Sequence, residues 1–206
     1  MKSLFIVVDG IDGSGKSEIV KMLHNYLFSK HKKYRILTTR EPTNGKYGKQ
    51  IREMLRKEDD PKSSGKKLRG LFIKDRQEHL KNTIEPFLKS SNEHELNIVL
   101  CDRYYYSTIA FQGAQGLNME ELIAKNKKFR KPDMAFILDA KPDLALERIR
   151  QREKEKFEQL EFMKKIRKNF LELPKLLEDN IEIINASEPL KYVFQKIRKN
   201  LDKLLD

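Results

Sequence analysis

The stretch Leu4–Ser17 reads LFIVVDGIDGSGKS, and the rest of the chain is best understood from it. Its first half, Leu4–Val8, is a short, branched and continuous apolar run, which is typical of a strand buried on both faces. From Gly10 the sequence matches G-x-x-x-x-G-K-[ST], the phosphate-binding P-loop. A helical pattern follows, whose apolar face is expected to run from Ile19 to Phe28. Strand, glycine-rich turn and helix are the context that this motif requires.

Such a turn binds a polyphosphate through its backbone. Glycines let the chain curl closely around an anion, and the N–H groups of the turn and of the following helix point at it. Lys16 is expected to reach the β- and γ-phosphates of ATP, and Ser17 to ligate Mg²⁺. The alternative is a tight strand–helix turn with a surface lysine, but strand, spacing and helix all agree with phosphate binding. The residues expected at ATP are Gly10, Ile11, Asp12, Gly13, Ser14, Gly15, Lys16 and Ser17.

The charge of the chain is strongly positive. In 206 residues, 43 lysines and arginines outnumber 31 aspartates and glutamates, which gives a net charge of +12. This balance favours anionic partners such as nucleotides, nucleic acid or acidic membranes, although a solvated Lys/Glu-rich surface has the same composition. A single cysteine, Cys101, excludes a disulfide framework, and no apolar run reaches membrane-spanning length. Because the N-terminus enters a strand with no signal peptide, a cytoplasmic protein is expected.

Apolar runs alternate with helical patterns along the whole chain. Strands are expected at 4–8, 35–39, 96–101, 133–139 and 181–185, and helices between them include 46–57, about 68–89 with a bend near Pro86, one that Gly113 and Gly116 break, and 188–205. This order predicts an α/β fold with a doubly wound, five-stranded parallel sheet and helices on both faces, of the P-loop NTPase type, in one domain over 1–206. Ligands bind such sheets at the carboxyl ends of the strands. The polar residues expected there are Asp9, Arg40, Asp102 and Asp139.

Three further groups carry side chains suited to nucleotides. Asp102 ends the third strand, where a carboxylate near P-loop Mg²⁺ belongs, and Arg103 beside it would face phosphate; a Tyr-rich strand end is the alternative. Phe72 and Arg76 share a helix face that suits a base and its phosphate, although core and surface roles are the default for such residues. A cationic stripe that could close over phosphates, or else a solvated helix face, is formed by Arg148, Arg152 and Lys156.

Six segments together resemble one family. They are GIDGSGKS at 10–17, TREP at 39–42, LFIKDRQEH at 71–79, DRYYYSTIAFQG at 102–113, KPDMAFILDA at 131–140 and the ALERI…EKFE segment at 145–158. In this order and spacing, over nearly the whole chain, they strongly resemble the thymidylate kinase family. The P-loop alone would indicate only nucleotide binding, whereas the LF-x-x-DR and DRY-x-x-S-x-x-A-F-Q-G segments make the resemblance specific.

The resemblance implies a Mg²⁺-dependent kinase that transfers the γ-phosphoryl group of ATP to dTMP, giving dTDP and ADP in dTTP synthesis, and it implies a homodimer. Asp12 is implied at the 3′-hydroxyl of the acceptor's sugar or in the metal region. Metal ligands are implied at Ser17 and Asp102, and catalytic roles at Lys16, Arg103, Arg152, Lys156 and Asp12. Residues implied at the acceptor are Asp12, Arg40, Pro42, Phe72, Arg76, Arg103, Ser107, Thr108, Phe111 and Gln112.

The same resemblance divides the acceptor residues by role. Phe72 is expected to stack on thymine, and Arg76 to pair with the base edge or the phosphate of dTMP. Either Ser107 or Thr108 is expected to hydrogen-bond the base. Phe111 is expected to fill the space near the 2′ position of the sugar, where a ribonucleotide carries a hydroxyl.

Two departures from the family pattern matter. Some members carry an arginine inside the P-loop where this chain has Gly13, so the cation at the transferred phosphoryl group is expected from a lid at about 150–158. The usual D-R-[FY]-E of that lid reads Glu155-Lys156-Phe157-Glu158 here. Because lysine lacks the bidentate fork of arginine, Lys156 and Arg152 stay alternatives for this cation. The glycines usual after TREP are replaced by Thr43-Asn44.

Two other functions use the same parts. One is a different pyrimidine nucleotide or deoxynucleoside kinase. The other is a nucleic-acid-linked P-loop ATPase, which the sequence disfavours because it has no ladder of aromatic and basic residues and no separate helix-turn-helix. The expected partners are therefore ATP and dTMP, with neither nucleic acid nor membrane.

Overall fold

The structure is a computed structural model, and it describes residues 3–57, 64–92, 94–149 and 156–205. The elements follow the chain as β1 (Leu4–Gly10), α1 (Lys16–Lys30), β2 (Tyr34–Arg40), α2 (Lys46–Lys57), α3 (Gly65–His79), a π-helical turn (Leu80–Ile84), α4 (Glu85–Lys89), β3 (Leu96–Asp102), α5 (Tyr105–Ala114), α6 (Met119–Asn126), β4 (Met134–Asp139), α7 (Pro142–Ile149), α8 (Lys156–Leu176), β5 (Ile181–Asn185) and α9 (Leu190–Leu205).

The strands form one parallel sheet in the order β2-β3-β1-β4-β5. In its register Val8 lies opposite Asp102 on β3 and Phe136 on β4, while Arg40 at the end of β2 is also paired with Asp102. β2 and β3 therefore lie on one side of β1, and β4 and β5 lie on the other. The strand ends beside β1 form the crevice where such sheets bind ligands. All five predicted strands are confirmed, with their ends shifted by two residues at most.

Both faces of the sheet are covered by helices. On one face α1 contacts β1, β2 and β3 and also packs on α9, while on the other α5 and α8 pack on each other and against β1, β4 and β5. Every residue of β1 and β3 is buried, as continuous apolar runs predict for strands with helices on both sides. The predicted doubly wound α/β fold is confirmed.

Three details of the predicted helices are wrong. Phe28 does not belong to the buried face of α1: it is 72% exposed and stacks on His24, with ring centroids 6.2 Å apart. Gly113 does not break its helix, because α5 continues to Ala114 and only Gly116 beyond it has a positive φ, 93°. The helix α6 was not predicted, although Asn118 caps it by accepting a hydrogen bond from the N–H of Glu121.

The long helix expected over 68–89 is present but contains a π-helical turn. The N–H of Glu85 donates to the carbonyl of Leu80, one residue beyond the α-helical partner. The next residue is Pro86, which has no N–H to donate, so the wider turn lies where the α-helical hydrogen-bond ladder would be interrupted in any case. Of the predicted lid at about 150–158, residues 150–155 lie outside the described residues, and α8 begins at Lys156.

Candidate active site

The P-loop turn between β1 and α1 depends on its glycines. Gly10, Gly13 and Gly15 all have positive φ, of 143°, 74° and 94°. A Cβ on Gly10 would lie 2.6 Å from the carbonyl oxygen of Leu138, and a Cβ on Gly13 would overlap the carbonyl of Ala145 in the middle of α7. Side chains are therefore excluded at both positions, which explains why no arginine can stand at position 13 in this packing.

Lys16 opens α1 and is buried, with 6% of its surface exposed. Its ammonium donates to the carbonyl oxygen of Ile11 at 2.7 Å, so the side chain folds back across the turn. Burial, and then repulsion from the Arg103 guanidinium, lower the pKa of Lys16 to about 8. The Lys16 ammonium is held at the loop and poorly neutralised by its surroundings, so a bound polyphosphate would stabilise its charged form.

Ser17 and Asp102 meet at the point where β3 ends beside α1. The hydroxyl of Ser17 donates to Oδ2 of Asp102 at 2.8 Å, while Oδ1 is buried and has no hydrogen-bond partner among the described residues. The Oγ of Ser14 in the same turn is likewise buried without a partner there. An unpaired carboxylate oxygen next to a hydroxyl suits a hard cation such as Mg²⁺. These two residues fit the predicted metal ligands, although no group of three or more His, Cys, Asp or Glu side chains able to hold a metal occurs in the described parts.

Arg103 connects the phosphate loop to α5. It follows β3 with φ at 72°, a conformation uncommon outside glycine, and its guanidinium donates to Oδ1 of Asp12 at 2.5 Å and to Oγ of Ser107 at 2.8 Å. Partial burial opposes ionisation of Asp12, but Arg103 and Lys16 outweigh it and keep the pKa of Asp12 below its usual value. Asp12 is thus an ionised carboxylate at the edge of the loop, beside a fixed cation.

Asp9 connects the end of β1 to the start of α5 by hydrogen bonds. It is fully buried at the end of β1 and accepts hydrogen bonds from the backbone N–H of Tyr104 at 3.1 Å and from the N–H and hydroxyl of Ser107 at 3.0 and 2.6 Å. Burial raises the pKa of Asp9 despite the charge of Arg103. The Ser107 hydroxyl is therefore engaged by Asp9 and Arg103, whereas the Thr108 hydroxyl contacts Arg76.

Arg76 is the centre of the second half of the site. Only 1% of it is exposed, and it donates to Oε2 of Glu41 at 2.9 Å, to Oδ1 of Asn126 at 2.7 Å and to Oγ1 of Thr108 at 3.0 Å. The ring of Tyr104 lies 5.1 Å from its Cζ atom. The structure thus brings Arg76 and Thr108 together, as the acceptor prediction requires.

The predicted aromatic residues line the approaches to this centre. Phe72 is half-buried one turn before Arg76, and it is not among the apolar side chains that pack against the main core of the described residues. Phe111 is half-buried on α5, with its ring 5.2 Å from Cζ of Arg103 and 6.3 Å from the ring of Phe170. Phe111 therefore stands between the phosphate side and the base side of the site.

The other predicted acceptor residues lie along the same edge of the sheet. Arg40 is exposed at the end of β2, and Pro42 follows after a cis peptide bond with Glu41. Gln112 is buried on α5, where its Nε2 donates to Gln115 and its Oε1 has no partner among the described residues.

The lid residues are only partly visible. Arg152 lies outside the described residues, and so does the side chain of Lys156. Arg148, the first member of the predicted cationic stripe, lies in the last turn of α7 and donates to the carbonyl oxygens of Gly13 at 3.3 Å and Ala186 at 3.4 Å. Arg148 therefore contacts the P-loop through the carbonyl of Gly13.

Sequence reasoning missed three polar residues of the network around Arg76: Glu41 and Asn126 bond it, and His79 bonds Glu41. Glu41 and His79 were each inside a quoted motif, but nothing in the sequence shows that they contact one another. Asn126 ends α6, the helix that was not predicted, so the sequence carried no signal for it.

Within the ranges that the structure describes, no helix is long and apolar enough to cross a bilayer.

Comparison with known proteins finds relatives over nearly the whole chain. The family model for thymidylate kinase matches residues 8–197. A probable thymidylate kinase of Archaeoglobus fulgidus is 36% identical over 205 residues, which cover 98% of this chain and 97% of that protein. A probable thymidylate kinase of Thermococcus kodakarensis is 37% identical over 98% of both chains. A thymidylate kinase of Caldicellulosiruptor saccharolyticus is 37% identical over 100% of this chain and 98% of its own. The predicted resemblance is confirmed: the chain belongs to the thymidylate kinase family.

Proposed function

We propose that this chain transfers the γ-phosphoryl group of ATP to dTMP, giving dTDP and ADP, as a step toward dTTP. The observation that carries the proposal is the position of Arg103. Its guanidinium contacts Asp12 of the phosphate loop and Ser107 of α5, and it lies 5.2 Å from the Phe111 ring. One cation thus joins a donor site for ATP to an acceptor site lined by Thr108, and family membership supports dTMP as the acceptor.

In this proposal the donor site binds ATP through the P-loop residues Gly10–Ser17. The backbone N–H groups of the turn and the Lys16 ammonium bind the phosphates, and Lys16 exchanges its bond to the Ile11 carbonyl for phosphate oxygens. Ser17 and Asp102 would hold Mg²⁺, which when bound neutralises charge on the phosphate oxygens. A phosphate oxygen of dTMP attacks the γ-phosphorus in line, the bond to the β-phosphate oxygen breaks, and no covalent enzyme intermediate is needed.

The acceptor site would select its ligand by stacking, hydrogen bonding and size. Phe72 stacks on the base and supplies contact area, whereas Thr108 and Arg76 bond its polar edge. Arg40 and Arg103 bind the acceptor phosphate, with Pro42 and Gln112 beside the ligand. Phe111 occupies the space that a 2′-hydroxyl would need. Of the two hydroxyls predicted at the base, Thr108 is the better candidate because Ser107 already bonds Asp9 and Arg103.

Three further features belong to the same proposal. A lid at about 150–158 closes over the phosphates and excludes water, within a single kinase domain over 1–206. The enzyme acts as a homodimer, so sedimentation should give twice the 24.4 kDa of the chain. It acts in the cytoplasm, where both of its nucleotide substrates occur.

An acceptor panel tests the function directly. With ATP and Mg²⁺, coupled ADP release is measured for dTMP, dUMP, UMP, dCMP and thymidine. We expect dTMP to have the highest kcat/KM, and thymidine to be poor because it lacks the phosphate that Arg40 and Arg103 bind. Faster phosphorylation of thymidine than of dTMP would assign the protein to the nucleoside kinases instead.

A further inference from the structure

Glu41 is a buried carboxylate to which the proposed reaction gives no part. It is 2% exposed, and its Oε2 accepts hydrogen bonds from Nε and Nη2 of Arg76 at 2.9 and 2.8 Å. Its backbone N–H donates to the carbonyl oxygen of Asp102 at 3.0 Å, which ties it to the end of β3. Glu41 is therefore fixed to the sheet by its backbone and to Arg76 by its side chain.

His79 continues this network on the other side of Glu41. Its Nδ1 lies 3.2 Å from Oε1 of Glu41, and its Nε2 lies 2.7 Å from Oγ1 of Thr39. Because an ionised carboxylate can only accept hydrogen bonds, Nδ1 carries the hydrogen that bonds Glu41. In the neutral ring Nε2 is then the acceptor, and the hydroxyl of Thr39 donates to it. Both oxygens of Glu41 are thereby held in place.

The network leaves Arg76 little freedom. Glu41, Asn126 and Thr108 hold three sides of its guanidinium, while the rings of Tyr104 and Phe129 lie 5.1 and 5.5 Å from its Cζ atom. An arginine side chain free in solution has many rotamers, and a planar fork bonded in this way has nearly one. The cost of ordering this side chain is therefore met on folding and not when the ligand binds.

The same hydrogen bonds decide whether the Thr108 hydroxyl can donate to a ligand or accept from it. Its Oγ1 accepts a hydrogen bond from Arg76 and donates none to the described residues, so its own hydrogen can donate to a ligand in the proposed acceptor site. A donor hydroxyl beside a guanidinium suits a carbonyl oxygen of the base. An amino group at the same position would face donors only, and an unpaired buried donor costs binding free energy.

We propose that Glu41, supported by His79, is a positioning residue that orients Arg76 and through it the Thr108 hydroxyl for selection of the base. The proposal rests on the proposed function, since it concerns selection at the same acceptor site. A buried ion pair adds little net stability compared with apolar residues of the same volume, so a stability role alone gives a weak account of this arrangement.

The first test compares Glu41→Gln with the wild-type enzyme. The variant keeps the shape of the side chain but loses the charge that orients Arg76. We expect kcat/KM for dTMP to fall at least tenfold, mainly through a higher KM for dTMP, with KM for ATP within twofold. We also expect the preference for dTMP over dCMP to narrow. The matched control is Glu85→Gln at the start of α4, which makes the same chemical change in the ion pair with Arg130 and should leave that preference unchanged.

The second test asks whether Glu41 acts through Arg76. In an Arg76→Met background, Glu41→Gln should change kcat/KM for dTMP by less than twofold, because the group that it orients is gone. If Glu41→Gln does not fold, His79→Gln decides the question, with a smaller loss expected in the same direction. Equal losses for dTMP and dCMP, or full additivity with Arg76→Met, would overturn the proposal. A wild-type chain without dTMP turnover would refute the proposed function instead.

Discussion

At the scale of single residues, Lys16 is the group whose ionisation we expect ATP to change most. Burial and the Arg103 guanidinium lower its pKa to about 8, so near that pH about half of the free molecules carry a neutral lysine. A bound polyphosphate favours the charged form and raises this pKa again. Binding and proton uptake are therefore coupled at this residue.

The sign of this coupling gives a prediction. The free enzyme loses the Lys16 proton as pH rises through about 8, whereas the complex keeps it, so binding of a non-hydrolysable ATP analogue should take up protons between about pH 8 and 9. Calorimetry in two buffers of different ionisation enthalpy measures the uptake, which is about one proton per site at most. The Lys16→Met variant should show none. Proton release, or an uptake that survives in the variant, would contradict the assignment.

Phe111 is the residue that we expect to separate deoxyribonucleotides from ribonucleotides. Its half-buried ring lies against Phe170 and beside Arg103, where a sugar between base and phosphate would pass. Phe111→Ala should narrow the kcat/KM ratio of dTMP over UMP by on the order of tenfold, because the space for a 2′-hydroxyl opens. Phe194→Ala, which removes a ring packed on Tyr26 instead, is the control and should leave the ratio unchanged. Equal use of UMP and dTMP by the wild type would refute the size filter.

At the scale of elements, β1, β3 and β4 could be predicted because a parallel strand buried on both faces is one continuous apolar run. The π-helical turn at 80–84 could not, because Pro86 indicates a disturbance of the helix without fixing its form. The helix α6 is short, and its capping residue Asn118 lies among turn-forming residues that favour a loop. Because α6 was not predicted, its residue Asn126 could not be placed beside Arg76, to which it is hydrogen-bonded.

The P-loop and α7 form a unit whose packing can be tested at Gly13. This residue has φ of 74°, and a Cβ would overlap the backbone carbonyl of Ala145. Gly13→Ala should therefore lower the free energy of unfolding by about 1–3 kcal/mol and weaken ATP binding. The control is Gly70→Ala within α3, where a Cβ meets no atom within 4 Å and should raise stability by about 0.5–1 kcal/mol. A Gly13→Ala enzyme as stable as the wild type in denaturant unfolding would show that this contact is not tight.

The lid is the element expected to supply the catalytic cation, since the P-loop has none at Gly13. Arg152→Ala and Lys156→Ala should each lower kcat more than they raise either KM, and the more important of the two should raise the activation free energy by about 2–4 kcal/mol. Lys164→Ala is the control, because this exposed lysine of α8 forms an ion pair with Glu161 on the surface of the same helix. If both lid variants keep the wild-type kcat, the cation comes from elsewhere, and Arg103 is the first alternative.

At the scale of the whole molecule, the site could be predicted where one motif holds all of its parts. Gly10–Ser17 and the ends of β1 and β3 fall in this class, because parallel strands place their carboxyl ends at one edge. The network around Arg76 joins residues that lie 35 and 50 positions away, Glu41 and Asn126. Such partners are set by tertiary packing, and a single sequence carries no pattern that pairs them.

The central claim is that the γ-phosphoryl group moves to dTMP and not to water. The most direct measurement incubates the enzyme with γ-labelled ATP, Mg²⁺ and dTMP, and counts labelled dTDP, ADP and free phosphate. We predict one labelled dTDP for each ADP, little free phosphate, and a loss of transfer by orders of magnitude in Lys16→Ala but not in Lys199→Ala, an exposed lysine of α9. ADP formed with free phosphate and without labelled dTDP would contradict the account and identify an ATPase.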